Sequence, residues 1–168
     1  GISFDVKEGE IFGILGQNGA GKSTTLEMIE SLRPIDSGEV ILDGVDVKKD
    51  PKEIKKIIGI QLQSTAFMAK LNLREQIKMF AGLYGVEVDA DKLLEKVQLL
   101  EKAKSYPENL SGGQRQRFAI ASALVNTPRV LFSDEPTTGL DPQARRNLWD
   151  LIKKKKKQGI TVVLTTHY

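Results

Sequence analysis

The sequence has no cysteine and no long apolar run. The absence of Cys among 168 residues excludes disulfides and thiolate metal sites and fits a reducing compartment. No apolar stretch approaches the roughly 18 residues that a membrane-spanning helix needs, and no secretory signal is visible. The sequence also has no large excess of charge of one sign, since the net charge is only +3. This balance does not indicate a nucleic-acid partner, and we expect none, but it suits a site that attracts a polyanion.

The order of apolar runs predicts an α/β fold. Four short runs are typical of strands, at residues 10–15, 57–63, 130–132 and 160–165. Helical patterns lie between them, for example at 23–32 and 92–100, so we expect a mostly parallel central sheet covered on both faces. Asp43-Gly44 separates two β-rich runs and adds a small antiparallel β portion.

A helical stretch interrupts this alternation. Asn72 and Glu75 form a predicted helix cap within it. We therefore divide the chain into an inserted α-helical subdomain and a core that carries the sheet, at residues 65–126 and at 1–64 with 127–168. Because the chain does not begin with Met and stops after a strand-like run, we expect one domain, 1–168, truncated at both ends.

Residues 16–23 match the phosphate-loop pattern G-x-x-x-x-G-K-[ST], between a predicted strand and a predicted helix. Glycines let the backbone curl so that several N–H groups face one anion, and the following helix adds its positive end. Lys22 is expected to reach the β- and γ-phosphates of ATP, and the Ser23 hydroxyl to bind Mg²⁺. The alternative is a glycine-rich turn with a surface lysine, which the flanking elements disfavour. The predicted nucleotide-binding residues of the loop are Gly16, Gln17, Asn18, Gly19, Ala20, Gly21, Lys22, Ser23 and Thr24.

Two carboxylates follow the predicted strand at 130–132. Asp134 and Glu135 can both reach the edge of a parallel sheet where ligands of α/β proteins bind. Asp134 is expected to hold Mg²⁺ through a water, and Glu135 to polarise the attacking water. A capping pair in a loop is the alternative, and it would be favoured without the phosphate loop.

A second anion site is predicted at the start of another helix, where Ser111 and Gln114 form a capping box. A cap alone does not require Gly112 and Gly113, which weaken a helix start. The segment Leu-Ser-Gly-Gly-Gln at 110–114 resembles the LSGGQ signature of ABC ATPases. The resemblance implies a P-loop NTPase fold, and it implies nucleotide contacts for Ser111, Gly112, Gly113 and Gln114.

Other segments resemble this family in the same order along the chain. Gln63 resembles the Q-loop glutamine, with Gln61 as a near neighbour that could be confused with it, and Asp141 lies in a D-loop-like segment. His167 resembles the switch histidine. The resemblance implies catalytic roles for Lys22, Gln63, Glu135 and His167, and a Mg²⁺ site at Ser23, Gln63 and Asp134.

The resemblance also implies a function and partners. We expect ATP hydrolysis that drives a membrane transporter, with ABC-type export favoured because residues 71–85 resemble ATPases of ABC-2-type exporters. A second ABC ATPase subunit, identical or not, would pair head-to-tail, and a transmembrane permease would place the chain at the cytoplasmic face of the membrane. The alternative is a soluble ABC ATPase in translation or DNA repair. No heptads lie between Lys22 and Ser111, which disfavours the coiled-coil chromosome class.

The sequence departs from the family pattern at two places. No aromatic residue can be assigned to stack on adenine, since Phe4 lies too close to the loop, and Ser133 occupies a position that is usually apolar. The lysines at 153–157 admit a nucleic-acid or lipid interpretation, but we interpret them as a solvated helix end that complements the helix dipole.

Overall fold

The computed structural model describes residues 1–61 and 67–166. The strands are β1 (Ile11–Leu15), β2 (Ile41–Leu42), β3 (Val45–Asp46), β4 (Ile58–Gln61), β5 (Val130–Ser133) and β6 (Thr161–Thr166). Four of them form a parallel sheet in the order β1-β6-β5-β4, and β2 pairs antiparallel with β3. Both the mostly parallel sheet and the small antiparallel portion are therefore confirmed. The hairpin turn forms because Asp43 and Gly44 adopt positive φ angles of 52° and 78°.

The helices of the described chain are α1 (Lys22–Ile29), α2 (Pro51–Ile57), α3 (Leu73–Tyr84), α4 (Ala90–Lys96), α5 (Gly112–Ala123) and α6 (Pro142–Lys157). The predicted end of α1 at residue 32 is wrong, since Glu30 caps the helix and Ser31 takes a positive φ of 59°. Helix α2 was not predicted, although Asp50 accepts a bond from Glu53 N and Pro51 takes the first position.

The helical stretch packs around one apolar cluster that also receives residues of α6 and β6. The predicted cap of α3 is present, with a reciprocal Asn72–Glu75 box and Gly85 in the left-handed region after the last turn. The helix predicted at 92–100 starts earlier, at Ala90, and ends at Lys96. A separate 3₁₀ turn follows at Leu100–Lys102. Because α5 packs on both β4 and α6, the division into a core and an inserted subdomain stays a prediction.

Helix α5 approaches β4 unusually closely. A Cβ atom at Gly59 would lie only 1.9 Å from Ala123 O, so the strand needs glycine at this position. Nearby, the Asn126 side-chain amide donates to Ile58 O at 2.9 Å and to Lys56 O at 3.2 Å. The C-terminal end of α5 is thus joined to the beginning of β4.

The lysine-rich end of α6 differs from the predicted solvated helix end at one residue. Lys155 is 2% exposed, and burial together with nearby Lys96 and Lys154 lowers its pKa. The remaining four lysines of the run are exposed, and Lys154, Lys156 and Lys157 lie in the last turn, where cations complement the helix dipole. No helix among the described residues has the length and apolar character needed to span a membrane.

Candidate active site at the carboxyl ends of the parallel strands

The phosphate loop connects β1 to α1 as a tight turn. Gly19 and Gly21 adopt left-handed φ angles of 78° and 88°, which residues with a side chain rarely reach. Gly21 is also the N-cap of α1, and no side chain caps this helix start. A helix start whose N-cap residue has no capping side chain is the arrangement that suits a bound phosphate.

Lys22 turns its ammonium group back into this loop. Its Nζ atom donates to Gly16 O at 2.9 Å and to Gln17 O at 3.1 Å, and it lies 3.9 Å from Glu135 Oε1. The Lys22 residue is only 7% exposed. The fixed position next to the loop carbonyls lets this cation meet an incoming phosphate with little rearrangement.

Ser23 and Asp134 meet across the sheet edge, although 111 positions separate them in sequence. The Ser23 hydroxyl donates to Asp134 Oδ2 at 2.8 Å. Mg²⁺ prefers oxygen ligands, and in nucleotide sites the protein supplies only a few of them, while substrate phosphates and waters complete the coordination shell. The Ser23 hydroxyl and the Asp134 carboxylate therefore fit this ion. Within residues 1–61 and 67–166, no cluster of three or more His, Cys, Asp or Glu side chains could hold a metal.

Thr165 contacts both acidic residues, and the sequence analysis did not identify it. Its hydroxyl donates to Asp134 Oδ1 and accepts a bond from Glu135 N at 2.9 Å. Thr165 is fully buried on β6, the strand next to β5 in the sheet. The only sequence signal for this role was its place near the end of a predicted strand, which many residues share.

Glu135 is held in an uncommon backbone conformation. Its φ angle is +49°, and its residue is 8% exposed. The Thr138 hydroxyl donates to Glu135 Oε2 at 3.3 Å, on the side of the carboxylate away from the Lys22 contact. A left-handed non-glycine residue at a sheet edge is typical of sites where the surrounding structure fixes a functional side chain.

Ser133 occupies a position that is usually apolar in the family that the sequence resembles. It is buried on β5 and forms a side-chain hydrogen bond with the neighbouring strand β4. Its hydroxyl donates to Gln61 Oε1, and both residues are at most 1% exposed. The backbone of Gln61 accepts from Asp134 N at 3.1 Å. Gln61 is therefore a buried residue of β4, while Gln63 lies outside the described residues, as does His167.

A second buried carboxyl group, that of Glu30, interacts electrostatically with Asp134. Glu30 at the end of α1 is 3% exposed, and its pKa is raised to about 7 by burial first, then by Asp134 and by Glu27. The carboxyl group of Glu30 is thus divided between its protonated and charged forms near neutral pH.

The turn at residues 110–114 that resembles the LSGGQ signature, called the signature turn below, lies partly at the surface, where a nucleotide bound by a partner subunit could reach it. Ser111 and Gly112 are exposed, and Ser111 forms the predicted reciprocal capping box with Gln114. Gly113 has a packing role that the sequence analysis missed, because a Cβ atom there would lie 2.8 Å from Ala144 Cβ on α6. A surface cavity of about 350 Å³ opens beside the turn and is also lined by Asp141.

Phe4 cannot be assigned as an adenine platform on this geometry, because its ring already stacks on Phe12. The two ring centroids are 4.9 Å apart, and the planes are inclined by 14°. An aromatic residue that stacks on adenine therefore stays unassigned among the described residues.

Known proteins resemble this chain in sequence and in structure. A family profile described as "ABC transporter" matches residues 1–138. The linearmycin resistance ATP-binding protein LnrL of Bacillus subtilis (strain 168) is 42% identical over 173 residues, which cover 100% of this chain and 56% of the relative. The doxorubicin resistance ATP-binding protein DrrA of Mycobacterium tuberculosis (strain CDC 1551 / Oshkosh) is 40% identical, covering 99% of this chain and 52% of the relative. The chain therefore spans about half the length of these curated relatives.

Solved structures show the same architecture. A dimeric post-hydrolysis state of the ATP-binding cassette MJ0796 bound to ADP and Pi superposes with a TM-score of 0.85 at 33% identity. The match covers 98% of this chain and 78% of that chain. An ATP-binding subunit of an ABC transporter superposes with a TM-score of 0.83 at 29% identity, over 98% of this chain and 70% of that one. With the phosphate loop, the acidic strand end and the exposed signature turn in these positions, the chain belongs to the ABC transporter family.

Proposed function

We propose that this chain binds ATP with Mg²⁺ and hydrolyses the γ-phosphate bond to drive a membrane exporter. The observation that carries the proposal is the convergence of four side chains at one sheet edge. The Ser23 hydroxyl contacts Asp134 at 2.8 Å, and Lys22 lies 3.9 Å from Glu135. A cation, a hydroxyl and two carboxylates beside an open helix start form a site for phosphoryl transfer.

The roles follow from these positions. Lys22 and the loop N–H groups bind the phosphates and neutralise charge that grows on them in the transition state. Mg²⁺, when bound, would be held by Ser23 and by Asp134 and would neutralise further phosphate charge. Glu135 accepts a proton from the attacking water as general base. Gln63 and His167 keep their proposed roles, the first near the metal and the second at the γ-phosphate.

A second copy of an ABC ATPase completes the site in this proposal. One phosphate loop covers only part of a triphosphate, and the helix start at Ser111–Gly113, where Ser111 and Gly112 are exposed, offers a hydroxyl and helix N–H groups to the other face. Pairing of two copies is supported by the dimeric form of the related cassette MJ0796, and we propose that the two copies pair head-to-tail. ATP then stabilises the dimer, and hydrolysis weakens it.

We propose that this cycle of ATP binding and hydrolysis drives export through a permease partner. Relatives named for linearmycin resistance, doxorubicin resistance and Nod factor export support an exporter over a soluble ATPase of translation or repair. The proposal places the chain at the cytoplasmic face of the membrane, where the permease subunit carries the substrate.

The experiment uses the full-length protein with Glu135→Gln and Ser111→Arg. Glu135→Gln should keep ATP affinity and lose about 10²–10⁴ in turnover, the usual range for a general base. In that background ATP should produce a dimer in gel filtration, and Ser111→Arg should abolish the dimer without weakening ATP binding by the monomer. Ser37→Arg, a like change at another exposed serine, is the control and should dimerise normally. A Ser111→Arg protein that still dimerises would contradict the composite site.

A further inference from the structure

We propose that Thr165 is a positioning residue that orients both acidic groups of the site through one hydroxyl. The inference rests on the proposed function, because it concerns how Asp134 and Glu135 are aimed at the nucleotide. It adds a residue of β6 to the part of the site that the phosphate loop and the end of β5 form within the described residues.

The geometry starts from the pairing of β5 and β6. Ser133 lies opposite Leu164 in the parallel register, so the next residues along the two strands, Asp134 and Thr165, reach the same edge of the sheet. Thr165 is fully buried, and its hydroxyl donates to Asp134 Oδ1 while accepting from Glu135 N at 2.9 Å. One side chain therefore contacts two consecutive residues of the site.

The direction of both hydrogen bonds is fixed by chemistry. The backbone N–H of Glu135 can only donate, so the Thr165 oxygen must accept there and its single proton is left for the carboxylate of Asp134. The other oxygen of Asp134, Oδ2, accepts from Ser23 at 2.8 Å. Both carboxylate oxygens are thus bound by hydroxyl groups on opposite sides.

These two hydrogen bonds restrict the rotation of the Asp134 carboxylate. The terminal torsion of an aspartate is broad, because it joins an sp³ carbon to an sp² carbon. With Thr165 on one oxygen and Ser23 on the other, rotation of the carboxylate breaks one of the two bonds. The oxygen that faces the metal position is therefore presented in a fixed direction before nucleotide binds, which is what preorganisation requires.

The second bond acts on the backbone of Glu135. A φ angle of +49° is uncommon for a residue with a side chain and is retained only where neighbouring contacts enforce it. The Thr165 hydroxyl accepts the N–H of this residue and so ties its backbone to β6. Loss of that acceptor allows the backbone to relax, which moves the carboxylate relative to Lys22 and to the attacking water.

The chain offers a matched control on the same strand. Thr161 is 7% exposed, and its hydroxyl accepts from Gly9 N at 3.0 Å, far from the acidic pair. Thr161→Val and Thr165→Val therefore remove the same group from the same strand, and each leaves one backbone N–H without its acceptor. Thr165→Ser keeps the hydroxyl and is the conservative variant.

The first readout is steady-state hydrolysis by the full-length protein. Thr165→Val should lower kcat about tenfold or more, while the KM for ATP with Mg²⁺ rises by only a few-fold, because the Lys22 and loop contacts to the phosphates stay in place and only the metal contact is weakened. Thr165→Ser should recover most of kcat, and Thr161→Val should retain it. Equal losses in the two valine variants, or a serine variant as impaired as Thr165→Val, would show a merely structural role and overturn the proposal.

The second readout does not depend on turnover. ATP affinity of Thr165→Val in EDTA should equal that of wild type, whereas the gain in affinity on adding Mg²⁺ should shrink several-fold. Hydrogen exchange at the Glu135 amide should accelerate in Thr165→Val and stay slow in Thr165→Ser. If wild-type protein binds no ATP, the proposed function fails. Hydrogen exchange at the Glu135 amide would still test whether Thr165 fixes the backbone of Glu135, because that measurement needs no nucleotide. Unchanged exchange in Thr165→Val would refute the inference.

Discussion

Replacing Glu30 with glutamine should stabilise the folded chain at pH 8 and change its stability little at pH 5. Glu30 is 3% exposed, and burial, Asp134 and Glu27 together raise its pKa from 4.5 to about 7. Glutamine has nearly the shape of the protonated carboxyl group and cannot ionise. The variant therefore removes the cost of charging a buried group beside another carboxylate.

The sign follows from proton linkage. Between pH 4.5 and about 7 the folded state binds more protons at Glu30 than the unfolded state does, so the free energy of unfolding falls as pH rises. Above pH 7 the loss is complete and corresponds to about 3 kcal/mol at most, at 1.36 kcal/mol per pKa unit. At pH 5 the same relation leaves a difference below about 1 kcal/mol.

Urea unfolding of wild type and Glu30→Gln at both pH values measures this difference directly. Glu95→Gln, an exposed glutamate of α4, is the control for the same chemical change at another place. We expect a gain for Glu30→Gln that grows from pH 5 to pH 8 and levels off above pH 7. An equal difference at both pH values would refute the reasoning, because it would show that Glu30 does not titrate in this window.

Two glycine pairs provide further tests. Gly113→Ala should lower Tm by several degrees, because its Cβ would lie 2.8 Å from a methyl group of α6, whereas Gly112→Ala, whose nearest neighbour is 4.0 Å away, should not lower it. Equal shifts would contradict the packing role of Gly113. Gly59→Ala should destabilise the chain by about 2 kcal/mol or more, since its Cβ would lie 1.9 Å from Ala123 O. Gly82→Ala, in an open part of α3, should instead stabilise it by about 0.5–1 kcal/mol, and denaturant unfolding distinguishes the two signs.

Local signals in the sequence predicted the parts of the fold that depend on local chemistry. The caps of α3 and α5 and the Asp43-Gly44 turn lie at the predicted residues, because each is decided by side chains within four positions. The phosphate loop was recognised for the same reason, since its pattern fits within eight residues.

Features that depend on distant residues could not be predicted in this way. Thr165 contacts Asp134 from 31 positions away, and only the pairing of β5 with β6 brings them together. The packing need for Gly113 arises from α6, and Ser133 finds its partner on β4. The early end of α1 was missed because Ser31 adopts a left-handed conformation that serine rarely takes.

The close packing of α5 on β4 fixes the position of the signature turn relative to the central sheet. Helix α5 has 12 residues and is thus about 18 Å long, with its exposed turn at one end and Ala123 at the other. At the inner end, the helix backbone lies directly against Gly59, and the Asn126 amide donates hydrogen bonds to backbone carbonyls at the beginning of β4. A shift of this end away from β4 would therefore break both the packing and these hydrogen bonds. We therefore expect the outer turn to move together with β4 rather than independently of the sheet.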